Sequence, residues 1–160
     1  MDPKHPFHLY LSSLPELAPS APSWSASELQ PLESTNLGVA AASSHASLAA
    51  QCERWLPALQ AGHPDLFPPS TAASVHWAHS MYNSRRFPPS LLGPASSASH
   101  EPGEGVLLPV IDVLNHKPFS PVSWSSEDGT LSLKLGADIG PGEEVFHDYG
   151  RKGNEQLIMR

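Results

Sequence analysis

The spacing of apolar positions changes character along the chain. Between residues 40 and 60, Leu48, Cys52, Trp55, Leu56 and Leu59 recur at intervals of three and four in an Ala-rich background. That period predicts a helix, ending near Pro57. Val75, Ala78, Met81 and Tyr82 repeat the pattern and predict a second helix over about 71–85, capped by Ser70 or Thr71 and stopped by Pro88-Pro89. Upstream, Ser25 and Glu28 have capping-box spacing and predict a short helix after an extended segment over 1–20. Beyond residue 105 the period falls to two. Leu131, Leu133 and Leu135 alternate with Ser132 and Lys134, which marks a half-buried strand. Glu127-Asp128-Gly129 is a hairpin turn signal, so Val122 to Ser125 is the expected partner strand. Val106 to Ile111 reads as a short buried strand, Glu144 to His147 as another, and Asn154 to Arg160 as the start of a helix.

These elements give an α+β class. The expected organisation is a helical region over 21–105, containing a Pro/Ser-rich loop at 88–105, followed by short antiparallel strands over 106–160. The 18 prolines cluster between the elements and predict long irregular connections.

Charge and composition then narrow the function. A formal net charge of -7 argues against nucleic acid as a partner, since phosphate binding calls for a basic stripe. The nine histidines show no zinc-site spacing, so no metal is expected, and the single Cys52 excludes an intramolecular disulfide. Neither a signal-like N-terminus nor a run of about 18 apolar residues is present. The expectation is an intracellular protein, in cytoplasm or nucleus, with no membrane association. Oligomeric state is silent.

Two motifs carry a resemblance. Val106-Leu-Leu-Pro-Val-Ile-Asp-Val-Leu-Asn115-His116 is followed about thirty residues later by Gly142-Glu-Glu-Val-Phe-His-Asp-Tyr149-Gly150 and then Asn154-Glu155. Together they resemble the C-terminal half of a SET domain, in the branch of the Rubisco large-subunit and ribosomal-protein lysine methyltransferases. The stretch from Trp77 to Ser84-Arg85-Arg86-Phe87 is similar to that branch's helix, and Trp24 to Leu37 to the start of its inserted helical region.

The resemblance implies a partial SET fold in which the Asn-His and Tyr-Gly segments cross as a pseudoknot. It also implies transfer of a methyl group from S-adenosyl-L-methionine to a lysine of a protein substrate. Asn115 and His116 match residues packing against the cofactor, Arg85 an arginine near the cofactor carboxylate, and Tyr149 the catalytic tyrosine. Phe146 would wall the channel or core, and Gly150 would permit a tight crossing. Glu143 and Glu144, as adjacent strand residues, read as turn or solvated groups, and Asp112 as a helix cap or functional group. The family's Gly-x-Gly cofactor segment has no counterpart, Gly38 standing alone. The expectation is therefore an incomplete SET region, truncated at its end. A non-catalytic remnant acting as a protein-binding module and a protein-histidine methyltransferase are the alternatives.

Overall fold

A computed structural model describes residues 3–17, 20–68, 71–92 and 104–160. Two compact units divide the chain: Met1–Ser84 with Gly153–Arg160, and Arg85–Lys152.

The first unit is helical. Helix α1, His8–Ser13, lies where extended chain is expected. The Trp77 indole N–H donates to the Pro15 carbonyl at 2.9 Å, which ties the following segment to α4. Helix α2, Ala26–Leu29, begins with the predicted capping box. The Ser25 hydroxyl accepts from the Glu28 N–H at 3.4 Å, and the Ser25 N–H donates to the Glu28 carboxylate at 2.8 Å. The hydrogen bond from the Ser25 hydroxyl holds the Glu28 carboxyl below its ordinary pKa, aided by the Ser25 backbone.

Helix α3, Asn36–Gly62, is longer than predicted because Pro57 does not end it. Proline removes one backbone donor and crowds the preceding turn. Here Glu53 and Pro57 are both exposed, so the freed Glu53 carbonyl faces solvent, while Cys52 and Leu56 stay buried on the other side. The α3 start is fixed by Thr35, whose hydroxyl accepts from the Gly38 N–H at 3.1 Å. Gly38 is buried, and a Cβ there would overlap the Leu32 carbonyl oxygen. Close approach of two backbones explains the solitary glycine. Helix α4 runs Thr71–Arg85, as predicted; Ser70, one of its two proposed caps, lies outside the described residues. Ala21, Leu37, Ala41, Cys52, Leu56 and Met81 form this unit's buried apolar set, and the Ser20 and Ser80 hydroxyls hydrogen-bond within it. Helix α5, Asn154–Ile158, closes the unit in sequence, with Gly153 at its cap position. Among the described residues no helix is long and apolar enough to cross a membrane.

The second unit carries the strands. The predicted hairpin forms as β2, Val122–Glu127, against β3, Thr130–Leu135, antiparallel with Trp124 opposite Leu133. Its two-residue loop places both Asp128 (φ 49°) and Gly129 (φ 74°) in the left-handed region, as a type I′ turn requires. The expected strand over 106–111 is not there. Only Val106 pairs, in an isolated bridge with Phe87. Pro109 lacks a backbone donor, and Val110 (φ 78°, ψ -44°) turns the chain into a 3₁₀ turn at Ile111–Val113. Of the 88–105 loop, Pro89–Leu92 form a further 3₁₀ turn, and 93–103 lie outside the described residues. Strand β1, Asn115–His116, pairs with β4, Phe146–His147, so that Asn115 faces Phe146 and His116 faces His147. This pair is parallel, whereas antiparallel strands are expected for the whole region.

Candidate functional site

All four predicted site residues belong to the second unit. Two of them, His116 and Tyr149, meet directly, because the β1–β4 pairing draws the Asn-His and Tyr-Gly segments together. The Lys117 N–H donates to the His147 carbonyl at 3.1 Å, which extends the pairing. The Tyr149 N–H donates to His116 Nδ1 at 3.1 Å. An accepting Nδ1 carries no proton, so the neutral His116 ring has its hydrogen on Nε2. The two rings stack with centroids 5.0 Å apart and planes 23° from parallel. The Tyr149 hydroxyl donates to the Leu114 carbonyl at 2.5 Å. Burial pushes the Tyr149 phenol above its ordinary pKa, against the pull of the Arg85 guanidinium. It is therefore a neutral O–H donor at pH 7, unsuited to act as a strong base.

Asn115 points elsewhere. It is exposed, and its amide Nδ2 donates to the Glu144 carboxylate at 2.6 Å. Glu143 accepts from the Gly140 N–H at 2.8 Å, in keeping with its reading as a turn residue. Glu144, given the same reading, instead orients Asn115.

Arg85 is engaged by Asp112. Its Nη1 donates to the Asp112 carbonyl at 3.2 Å and lies 3.7 Å from the carboxylate. The Asp112 side chain is fully buried and sits within the 3₁₀ turn, so the helix-cap reading does not hold. A charge removed from water calls for a partner, and Arg85 supplies it. Arg85 Nε is buried and has no hydrogen-bond partner.

His147 draws no functional reading from the sequence. His147 is buried among three rings: stacked on Phe87 at 5.6 Å, and edge-on to Trp124 at 5.0 Å and Tyr149 at 5.5 Å. Burial lowers its pKa, with the neighbouring Asp148 pulling the other way. Asp148 holds two loops together, its carboxylate accepting from the Gly150 N–H at 2.8 Å and the Phe119 N–H at 2.9 Å. Those bonds lower its carboxyl pKa. Gly150 is required for its φ of 88° and not for space, since a Cβ there would meet only the tip of Lys152. Phe146 is half-buried beneath the Lys117 ammonium, 5.2 Å from its ring centre, and lines an open groove of about 520 Å³ with Val122, Leu135 and Ile139.

Comparison with known proteins shows what the chain is similar to. The chain is 35% identical over 86 residues to Ribosomal lysine N-methyltransferase set10 of Schizosaccharomyces pombe, covering 52% of this chain and 15% of that protein. It is 32% identical over 85 residues to Protein-lysine N-methyltransferase EFM1 of Saccharomyces cerevisiae, covering 52% and 14%. SET domain-containing protein 8 of S. pombe is 40% identical over 55 residues, covering 34% and 13%. About half of the chain is thus similar in sequence to SET-domain lysine methyltransferases. No family model matches it. The matched stretch spans between 13 and 15% of the length of these relatives.

The paired Asn-His and Tyr-Gly motifs offer groups whose chemistry fits a cationic sulfonium cofactor such as S-adenosyl-L-methionine. The stacked faces of His116 and Tyr149 and the Leu114 carbonyl provide π-density and an oxygen for a cationic sulfonium. The unpartnered Arg85 Nε is a buried donor for an anionic group.

Proposed function

We propose that the chain supplies the catalytic tyrosine and part of the cofactor site of an S-adenosyl-L-methionine-dependent protein-lysine N-methyltransferase. The observation that carries this reading is the parallel pairing of Asn115-His116 with Phe146-His147, which stacks Tyr149 on His116. When bound, the cofactor would supply an electrophilic methyl on sulfur, whose transfer to an amine would form a carbon–nitrogen bond, break the carbon–sulfur bond and leave a thioether.

The chain's residues would position and desolvate. A lysine, with a pKa near 10.4 in water, must lose its proton before attack, and an apolar surround favours the neutral amine. The neutral Tyr149 hydroxyl would hydrogen-bond and orient the reacting groups. Asn115, released from or bridged through Glu144, and the backbone at His116 would hold the cofactor's amino-acid and adenine portions. Arg85, braced by Asp112, would present Nε to the cofactor carboxylate. Lysine is favoured over histidine as the target because the relatives bear lysine N-methyltransferase names.

Titration of the chain with S-adenosylmethionine in a calorimeter tests the cofactor half. Micromolar binding, about -8 kcal/mol, that is lost in Asn115→Ala is expected. No heat up to millimolar ligand would leave the non-catalytic binding module as the better reading. Tyr149→Phe tests the chemistry: methyl transfer should fall about 100-fold, while cofactor binding persists. An unchanged rate would remove Tyr149 from its role.

A further inference from the structure

Away from the strands, in the first unit, two histidines meet across helices. His45 of α3 and His76 of α4 have ring centroids 5.2 Å apart, with planes at 49°. His45 Nδ1 lies 3.0 Å from the Pro22 carbonyl. A carbonyl only accepts, so Nδ1 bears a hydrogen, and in the neutral ring Nε2 is the nitrogen with the lone pair. Ligating imidazoles are fixed in this way, with one nitrogen tied to a carbonyl and the other left for the metal. Among the described residues, no hydrogen bond engages the His76 ring.

From these residues we infer a two-imidazole site for a divalent first-row transition cation of the Zn²⁺ type, bridging α3 and α4 through His45 and His76. Two imidazoles on one tetrahedral zinc, each with a Zn–N bond of about 2.0–2.1 Å, put their ring centroids about 5 Å apart. The observed separation matches that spacing. The cavity at this point, lined also by Ser20, Ser44 and His79, has a volume of about 20 Å³, enough for one water-sized species. Among the described residues, no group of three or more His, Cys, Asp or Glu side chains is arranged around a metal. The remaining coordination positions therefore fall to solvent, and the site is open. Imidazole donors without thiolates suit Zn²⁺, Ni²⁺ or Cu²⁺ over Mg²⁺ or Ca²⁺.

The inference is independent of the methyl-transfer reading. Thermal melts at pH 7.5 with Zn²⁺ up to about 1 mM test it, on the chain and on His45→Gln and His76→Gln. A cation that binds only the folded state raises the midpoint, by about 4 °C at ten times its dissociation constant. Both substitutions should abolish the zinc-dependent rise. The rise should also shrink at pH 5.5, because metal ligands must give up their protons to bind. Calorimetry should show one zinc per chain, absent from either variant even if that variant melts lower without metal. No rise up to 1 mM would overturn the site. An undiminished rise in either variant would also overturn it, by assigning the cation to other histidines.

Discussion

At the scale of single residues, neighbours in the candidate site bias protonation states. His147 is the clearest case. Its ring is enclosed by Phe87, Trp124 and Tyr149, its Nδ1 has no hydrogen-bond partner, and burial lowers its pKa. In the unfolded chain a histidine titrates near 6.5. Below that pH the unfolded state takes up a proton that the native state refuses until its own lower pKa is reached. Stability is therefore fully present above about 6.5 and falls across that window as pH drops. His76 contributes with the same sign, its pKa also being lowered by burial. The depressed carboxyls of Asp148 and Glu28 contribute stability that is lost only in stronger acid. His147→Phe should keep the ring packing and remove one titrating group. Its melting midpoint should fall less than the wild type's between pH 7.5 and 5.5; an equal fall would place the acid sensitivity elsewhere. Beside the site, Val110 holds a backbone conformation that is costly for a β-branched side chain, just before the 3₁₀ turn that leads into Asn115.

At the scale of elements, local chemistry was legible wherever a short stretch decides the outcome. The Ser25–Glu28 capping box, the Asp128-Gly129 hairpin and the α4 helix follow from neighbouring residues and form as predicted. Two failures fall at prolines. Pro57 was expected to end α3, yet its exposed position lets the helix continue. The run from Val106 to Ile111 reads as a strand on hydrophobicity, but Pro109 and the turn at Val110 leave it one bridging residue. The same division holds in the site. Tyr149, Asn115 and His116 stand out through motif, whereas Asp112, Glu144 and His147 gain meaning only from partners far along the chain. Gly38 lies between these cases: the sequence marks it as unusual, and the structure supplies the cause. Gly38→Ala should destabilise the chain by about 3 kcal/mol, because the methyl group meets backbone that cannot rotate away. Denaturant unfolding measures this, and a loss under about 0.5 kcal/mol would mean that the α3 start shifts freely.

At the scale of the whole molecule, the arrangement of strands dictates how the second unit is reached from the unfolded chain. Strands β1 and β4 lie about thirty residues apart in sequence, and the β2–β3 hairpin falls entirely between them. Closing a loop costs entropy that grows with its length. The hairpin is a local structure that forms within microseconds. Once zipped, it takes its own residues out of the loop, so the effective span is roughly halved and closure becomes easier by about 0.5 kcal/mol. Order of assembly is thus written into the nesting: hairpin first, then the pairing that brings Tyr149 to His116. Gly129→Val, which opposes the left-handed turn, should slow folding more than it speeds unfolding, as a chevron plot would reveal. Should only unfolding accelerate, the strands would have met before the turn. The turn at Asp128-Gly129 touches neither cofactor nor substrate in the proposed reaction, yet it would govern how soon after synthesis the site exists at all.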